Sequence, residues 1–193
     1  MTPSPKSNKP KIIIDACGGS GAWSKPYKDA GYDVRLVTLP DNDVRTYQLP
    51  DEPIYGILAA PPCTEFSLAK STKSRDFGEG MEVVAACLEL IWQARKRGKL
   101  RFWALENPRG FLRQFLGKPP FCFEHWEFGD KGIKPTDLWG YFNPPIRKIK
   151  SRPQNLSRIY PNGRHNAIGW SKSADKRALT PAGFALAFFA KNR

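Results

Sequence analysis

Histidine and methionine are scarce in this chain of 193 residues, with two of each. The four cysteines, Cys17, Cys63, Cys87 and Cys122, include no C-x-x-C pair. With only His125 and His165 to complete a set of ligands, a structural zinc site is not expected, and no metal is assigned. No run approaches the roughly 20 apolar residues that a bilayer-spanning helix needs. The opening MTPSPKSNKPK has no apolar core of the kind a secretory signal carries. It reads as a disordered basic arm over residues 1–10, and a soluble, cytoplasmic, prokaryotic or phage-like protein without disulfides or membrane partner is expected. Acidic residues are also few: 18 against 31 lysines and arginines, a formal charge of +13. That excess points to a polyanionic partner, nucleic acid first, because each cation placed on a phosphate releases a counterion. Neither G-x-G-x-x-G nor a Gly-Lys-Ser/Thr loop is present, which removes the ordinary dinucleotide and P-loop signatures.

What is present is a repeated pattern of apolar run followed by a chemically unusual loop. Ile12–Ile14 read as a buried strand that opens into DACGGSG, and a helix through Ala30 stops at Gly31. Residues 34–39 suit a second strand. IYGILAA forms a third, ended by Pro61 and Pro62 because proline cannot donate to a ladder. The segment 79–97 has helical periodicity, with Val83, Val84, Cys87, Leu88 and Ile91 on one face. LRFWALENP supplies another strand and another polar loop. Three strands thus end in DACGGSG, PPCTEFS and ENPRG, as in an open α/β sheet that binds its ligand at the carboxyl ends of the strands. Beyond residue 117, FCFEHWEFG and LWGYF read as strands at the edge of a mixed sheet. TPAGFALAFFAKN reads as a terminal helix with Pro181 in its first turn. The expected division is a catalytic domain over 11–142, a basic segment over 143–177, and a helix within 178–193 that packs back on the domain.

Cysteine and glutamate in such loops suggest a chemistry. Cys63 reads either as a buried thiol at a corner or as a nucleophile, since thiolates attack well and leave well. Glu106 reads either as a capping or paired carboxylate or as an acid whose burial keeps a proton available.

Taken together and in this order, DACGGSG, PPCTEFS and LENPRG resemble the cytosine-5 DNA methyltransferase family over residues 11–115. The resemblance implies a Rossmann-like α/β fold of the S-adenosylmethionine-dependent methyltransferases, with a mixed, mostly parallel sheet flanked by helices. It implies a catalytic set of Cys63, Glu106 and Asn107, and S-adenosylmethionine held by Asp15, Gly18, Gly19, Gly21 and Pro61. Asp43 matches the acid beside the adenine, and Asp41 is a displaced candidate for the ribose. Cys17 stands where the family has an aromatic side chain, which Trp23 would replace unless it is a core residue. The family's Gln-x-Arg-x-Arg segment is missing, and Lys134 and Thr136 in GIKPTDLWG are the nearest substitutes.

A large target-recognition domain is not expected within these 193 residues. Double-stranded DNA would then be met by Ser67, Arg109 and the basic segment, through Arg147, Lys148, Lys150, Arg152, Arg158 and Arg164. Such a run also suits a merely solvated loop. Arg177, or Lys176, falls where the family has an asparagine near the cofactor. There it would pair with a carboxylate, as in carboxy-S-adenosylmethionine, or bind a DNA phosphate. The expectation is a monomeric DNA cytosine-5 methyltransferase, with a carboxymethyl-transferring sister enzyme and a catalytically silent DNA-binding module as alternatives.

Overall fold

The computed structural model describes residues 9–68, 70, 74–130, 133–153 and 178–193. The fold is α/β: among the described residues, six strands form one mixed sheet with helices on both faces. The strands are β1 (Ile12–Ala16), β2 (Asp33–Val37), β3 (Ile54–Ala59), β4 (Phe102–Pro108), β5 (Phe121–Phe123) and β6 (Thr136–Tyr141), in the order β2-β1-β3-β4-β6-β5. The first four run parallel, while β6 pairs antiparallel with β4 on one side and β5 on the other. LWGYF was expected at the sheet's edge. Instead β6 is interior, and the edge falls to the three-residue β5, with a 3₁₀ turn at His125–Phe128 replacing the rest of the expected strand.

Side-chain alternation along the strands builds two cores, one on each face. Ile12, Ile14 and Ala16 point to one face with Ile57, Ala59 and Leu105, and are covered by α2 (Phe77–Lys96). Val84, Cys87, Leu90, Ile91 and Ala94 form the buried stripe of that helix, whereas Val83 and Leu88 are only partly buried. Ile13, Leu58, Ala104 and Leu138 point to the other face, which is covered by α1 (Lys25–Asp29) and by aromatic residues. After the short α3 (Leu112–Leu116), α4 (Ala182–Lys191) completes that second core. Its Phe184 ring stacks on Phe123 at 4.1 Å between centroids and 12° between planes. The C-terminal helix therefore packs against the sheet. Among the described residues, no helix is long and apolar enough to cross a membrane.

The order of the parallel strands reverses direction at β1. The next strand in sequence, β2, lies on one side and β3 on the other, so the loops leaving β1 and β3 diverge and leave a crevice between them. The Ala60 N–H donates to the Ala16 carbonyl (2.9 Å), which fixes the two strand ends side by side at its base.

Candidate active site

The glycine turn after β1 is shaped by three left-handed residues, Cys17 (φ 57°), Gly19 (φ 55°) and Gly21 (φ 72°). For Cys17, which carries a Cβ, the conformation is held by its N–H, which donates to the Val37 carbonyl at 2.7 Å. Gly18 has a different reason to be glycine: a Cβ there would overlap the Asp15 carboxylate. Asp15 is fully buried. Its Oδ2 accepts from Ser24 Oγ at 2.5 Å, and its Oδ1 has no hydrogen-bond partner among the described residues. Burial pushes its carboxyl up to about 6 against the pull of the Ser24 hydroxyl. The Cys17 and Cys87 sulfurs lie 3.9 Å apart. The Cys87 hydrogen bond holds the Cys17 thiol below its ordinary range, and Cys87 is raised in turn.

The loop after β3 is anchored on both sides of Cys63. Before it, Asn107 on β4 donates its Nδ2 to the buried Pro61 carbonyl at 3.0 Å. After it, the Phe66 and Ser67 N–H groups donate back to the Cys63 carbonyl at 3.0 and 2.8 Å, closing a tight turn. The buried Phe66 accepts from Phe111 N (2.8 Å), and Ser67 forms an isolated bridge with Gly110, where any side chain would overlap the Phe66 carbonyl. Cys63 is half-buried and is not in a disulfide.

Glu106 reaches the same region from β4, where it stands opposite Leu138 of β6. Its side chain is 15% exposed, with the Lys134 ammonium 4.0 Å from Oε1. Burial raises the carboxyl, Lys134 opposes the rise and Asp137 adds to it. Lys134 arrives on the segment that leads into β6. Thr136 contributes from behind: it is buried, and its hydroxyl donates to the Lys134 carbonyl at 2.9 Å.

These side chains meet in one cavity of about 350 Å³. Asp15, Cys17, Gly18 and Gly19 line one side, Pro61, Pro62 and Cys63 a second, and Glu106, Pro108 and Lys134 a third, with Ala178–Thr180 beside them. Trp23 also reaches the wall. It is nevertheless a core residue, 2% exposed and packed on Phe184 and Phe188 with centroids 5.8 and 5.4 Å away.

Other candidates stand elsewhere. Gly21 shapes the turn without lining the cavity. Asp41 is exposed, and Asp43 is held by Arg45 at 2.6 Å, which keeps its carboxyl below the usual range. Asn107 and Thr136 position neighbours and do not face the space. Arg109 lies 3.8 Å from the buried Asp137, whose carboxylate Arg113 also grips with two bonds of 2.5 Å. Arg147 spans Glu127 (2.8 Å) and the Cys122 carbonyl (2.6 Å) and covers the Phe121 ring, so it braces the protein's own surface. Lys148, Lys150 and Arg152 are exposed. Arg158, Arg164, Lys176 and Arg177 lie outside the described residues.

One group near the site carried no usable signal in the sequence. His125 borders a small recess with Glu106, Lys134, Phe123 and Thr180. Burial, aided by Lys134, lowers its imidazole to about 3, so it is neutral at physiological pH. A lone histidine in FEHWEF has no periodic or spacing cue; only the antiparallel return through β6 brings it there. Among the described residues no cluster of three or more His, Cys, Asp or Glu side chains is arranged to hold a metal.

No protein-family model matches the chain, and no curated protein sequence matches it. The functional reading therefore rests on these residues and their arrangement.

Proposed function

We propose that the protein is an S-adenosylmethionine-dependent DNA cytosine-5 methyltransferase. The observation that carries this reading is the meeting of a thiol, a carboxyl with a raised affinity for its proton, and a glycine-lined wall in one cavity. The glycine wall fits the cofactor. Asp15 offers a buried oxygen with no partner among the described residues, suited to a cationic group, and Gly18 and Gly19 allow backbone to approach closely. When bound, S-adenosylmethionine supplies the methyl group, and Asp15, Gly18 and Gly19 would hold it.

The remaining chemistry belongs to the chain. A cytosine inside a duplex cannot present C6, so the base is turned out of the stack into the cavity. The Cys63 thiolate forms the S–C6 bond, and the C5=C6 electron pair moves towards C5 and N3. Glu106, which burial keeps protonated more readily than an ordinary glutamate, donates its proton at N3 and neutralises that charge. Asn107 fixes the carbonyl two residues before the nucleophile, and Lys134 limits how far the Glu106 carboxyl is raised. Once C5 carries the methyl, its proton is lost to solvent, the electron pair re-forms C5=C6 and expels the Cys63 thiolate, and the N3 proton returns to Glu106. The net charge of +13 and the exposed Lys148, Lys150 and Arg152 support a DNA backbone as the partner.

DNA containing 5-fluorocytosine tests this directly, because fluorine at C5 cannot leave as a proton and the Cys63 adduct persists. The wild-type protein with cofactor should form an adduct that survives denaturation. Cys63→Ala should form none while still binding DNA and cofactor. An adduct with Cys63→Ala would overturn the assignment of the nucleophile, and no adduct with wild type would leave a non-catalytic DNA-binding protein. Mass spectrometry of nucleosides from treated DNA identifies the transferred group and should show 5-methylcytosine.

A further inference from the structure

Two residues after Cys63, Glu65 is engaged through both its side chain and its backbone. Its carboxylate accepts from the Lys70 ammonium through both oxygens, at 2.6 and 2.5 Å, and from the Asp76 backbone N–H at 2.7 Å. Arg75 Nη1 donates to its main-chain carbonyl, also at 2.7 Å. The side chain is 12% exposed, and Lys70, with Asp76 N behind it, holds the carboxyl below the usual glutamate range. Asp76 is the residue that caps α2, its side chain accepting from Glu79 N at 2.9 Å, so Glu65 grips the point where that helix begins. The packing there leaves no slack: a Cβ at Gly80, in the first turn of α2, would crowd both the Phe66 ring and the Glu65 Cβ.

Asn107 and the Phe66 backbone tie the nucleophile loop to β4 and the turn that follows it. Glu65 supplies the tie to α2. Because Phe66 N and Ser67 N close the turn on the Cys63 carbonyl, a shift at Glu65 is passed to Cys63 through a rigid segment. We propose that Glu65 is a positioning residue for Cys63, clasping the nucleophile loop onto the start of α2 through Asp76, Lys70 and Arg75. The role rests on the reading of Cys63 given above. It acts on the placement of the sulfur, where an error of about 1 Å is enough to cost up to roughly 100-fold in rate.

The experiment compares wild type, Glu65→Ala and Glu65→Gln in single-turnover adduct formation on 5-fluorocytosine DNA at saturating DNA, with cofactor and DNA affinities measured in parallel. Glu65→Ala should slow adduct formation by about 10-fold or more while both affinities change by less than about 2-fold, which also shows that the variant is folded. Glu65→Gln keeps an oxygen for the Asp76 N–H and should recover most of the rate. Three results would overturn the clasp: a wild-type rate in Glu65→Ala, a Gln variant no better than Ala, or a rate loss matched by an equal loss of cofactor affinity. If wild type itself forms no adduct, the reading of Cys63 fails and the clasp fails with it. An adduct in wild type formed equally fast by Glu65→Ala removes the clasp alone.

Discussion

Replacing Asp15 by asparagine should make the protein more stable at neutral pH and, on the proposed function, less able to bind S-adenosylmethionine. Asp15 is fully buried, and its carboxyl is raised from 3.8 to about 6. The folded state thus holds this proton more tightly than the unfolded chain. Stability therefore falls as pH rises from about 4 to about 6, and above that range the whole cost of keeping a buried carboxylate is present. The displacement spans about two pH units at about 1.4 kcal/mol each, a ceiling of roughly 3 kcal/mol. That displacement already includes the pull of the Ser24 hydroxyl on the carboxylate, and asparagine, neutral like the protonated acid, keeps an oxygen for the same bond. A gain of up to about 3 kcal/mol at pH 8 follows, or a rise in Tm of up to about 6–12 °C for a chain of this size. The assay is thermal unfolding of both proteins from pH 4 to pH 8. The variant's advantage should be absent near pH 4, grow through pH 6 and level off above it. A difference that does not vary with pH, or a variant less stable at pH 8, would refute the argument. If the proposed function holds, isothermal titration calorimetry should show S-adenosylmethionine binding weakened in Asp15→Asn, and in wild type weakening as pH drops below about 6.

Two further outcomes follow from the same geometry. Asn107→Ala removes the 3.0 Å donor to the buried Pro61 carbonyl and should lower the unfolding free energy by about 1–3 kcal/mol in urea titrations; adduct formation by Cys63 should slow as well. Replacing Lys148, Lys150 and Arg152 together by alanine should reduce the slope of log affinity for DNA against log salt by up to about 2.7, at about 0.9 per phosphate contact. The adduct rate at saturating DNA should stay at the wild-type level.

The parallel half of the fold was legible in the sequence because its signals are local. Ile12–Ile14, IYGILAA and FWALENP are short apolar runs closed by glycine or proline, and each is a strand that delivers its following loop to the cavity. Where backbone alone decides the outcome, candidates from those loops line one cavity: Asp15, Gly18 and Gly19 with Cys63 and Glu106. Beyond residue 117 the outcome depends on pairing between distant strands. Nothing in LWGYF says that it will insert between β4 and β5, and so the sequence could not bring His125 to the Glu106 recess or reveal that Thr136 serves Lys134. Charge was the least legible signal. Arg109 and Arg147 look like any other cation in a basic chain, yet long-range partners, Asp137 for one and Glu127 with the Cys122 carbonyl for the other, engage both. Trp23 was ambiguous for a different reason: one side of a large ring can wall a cavity while the rest fills a core.

The position of β6 has a consequence for the order in which the protein is made. β5 leaves the ribosome before β6 and, among the described residues, pairs with no other strand, so it waits for that partner until residue 141 has emerged. Over the same interval β4 has one satisfied edge, along β3, and one bare edge bearing Glu106 and Asn107. Nascent chains paused between residues 123 and 136 should therefore present an open sheet edge to chaperones and to one another. Synthesis of the next few residues closes that edge and delivers Lys134 to Glu106 in the same event.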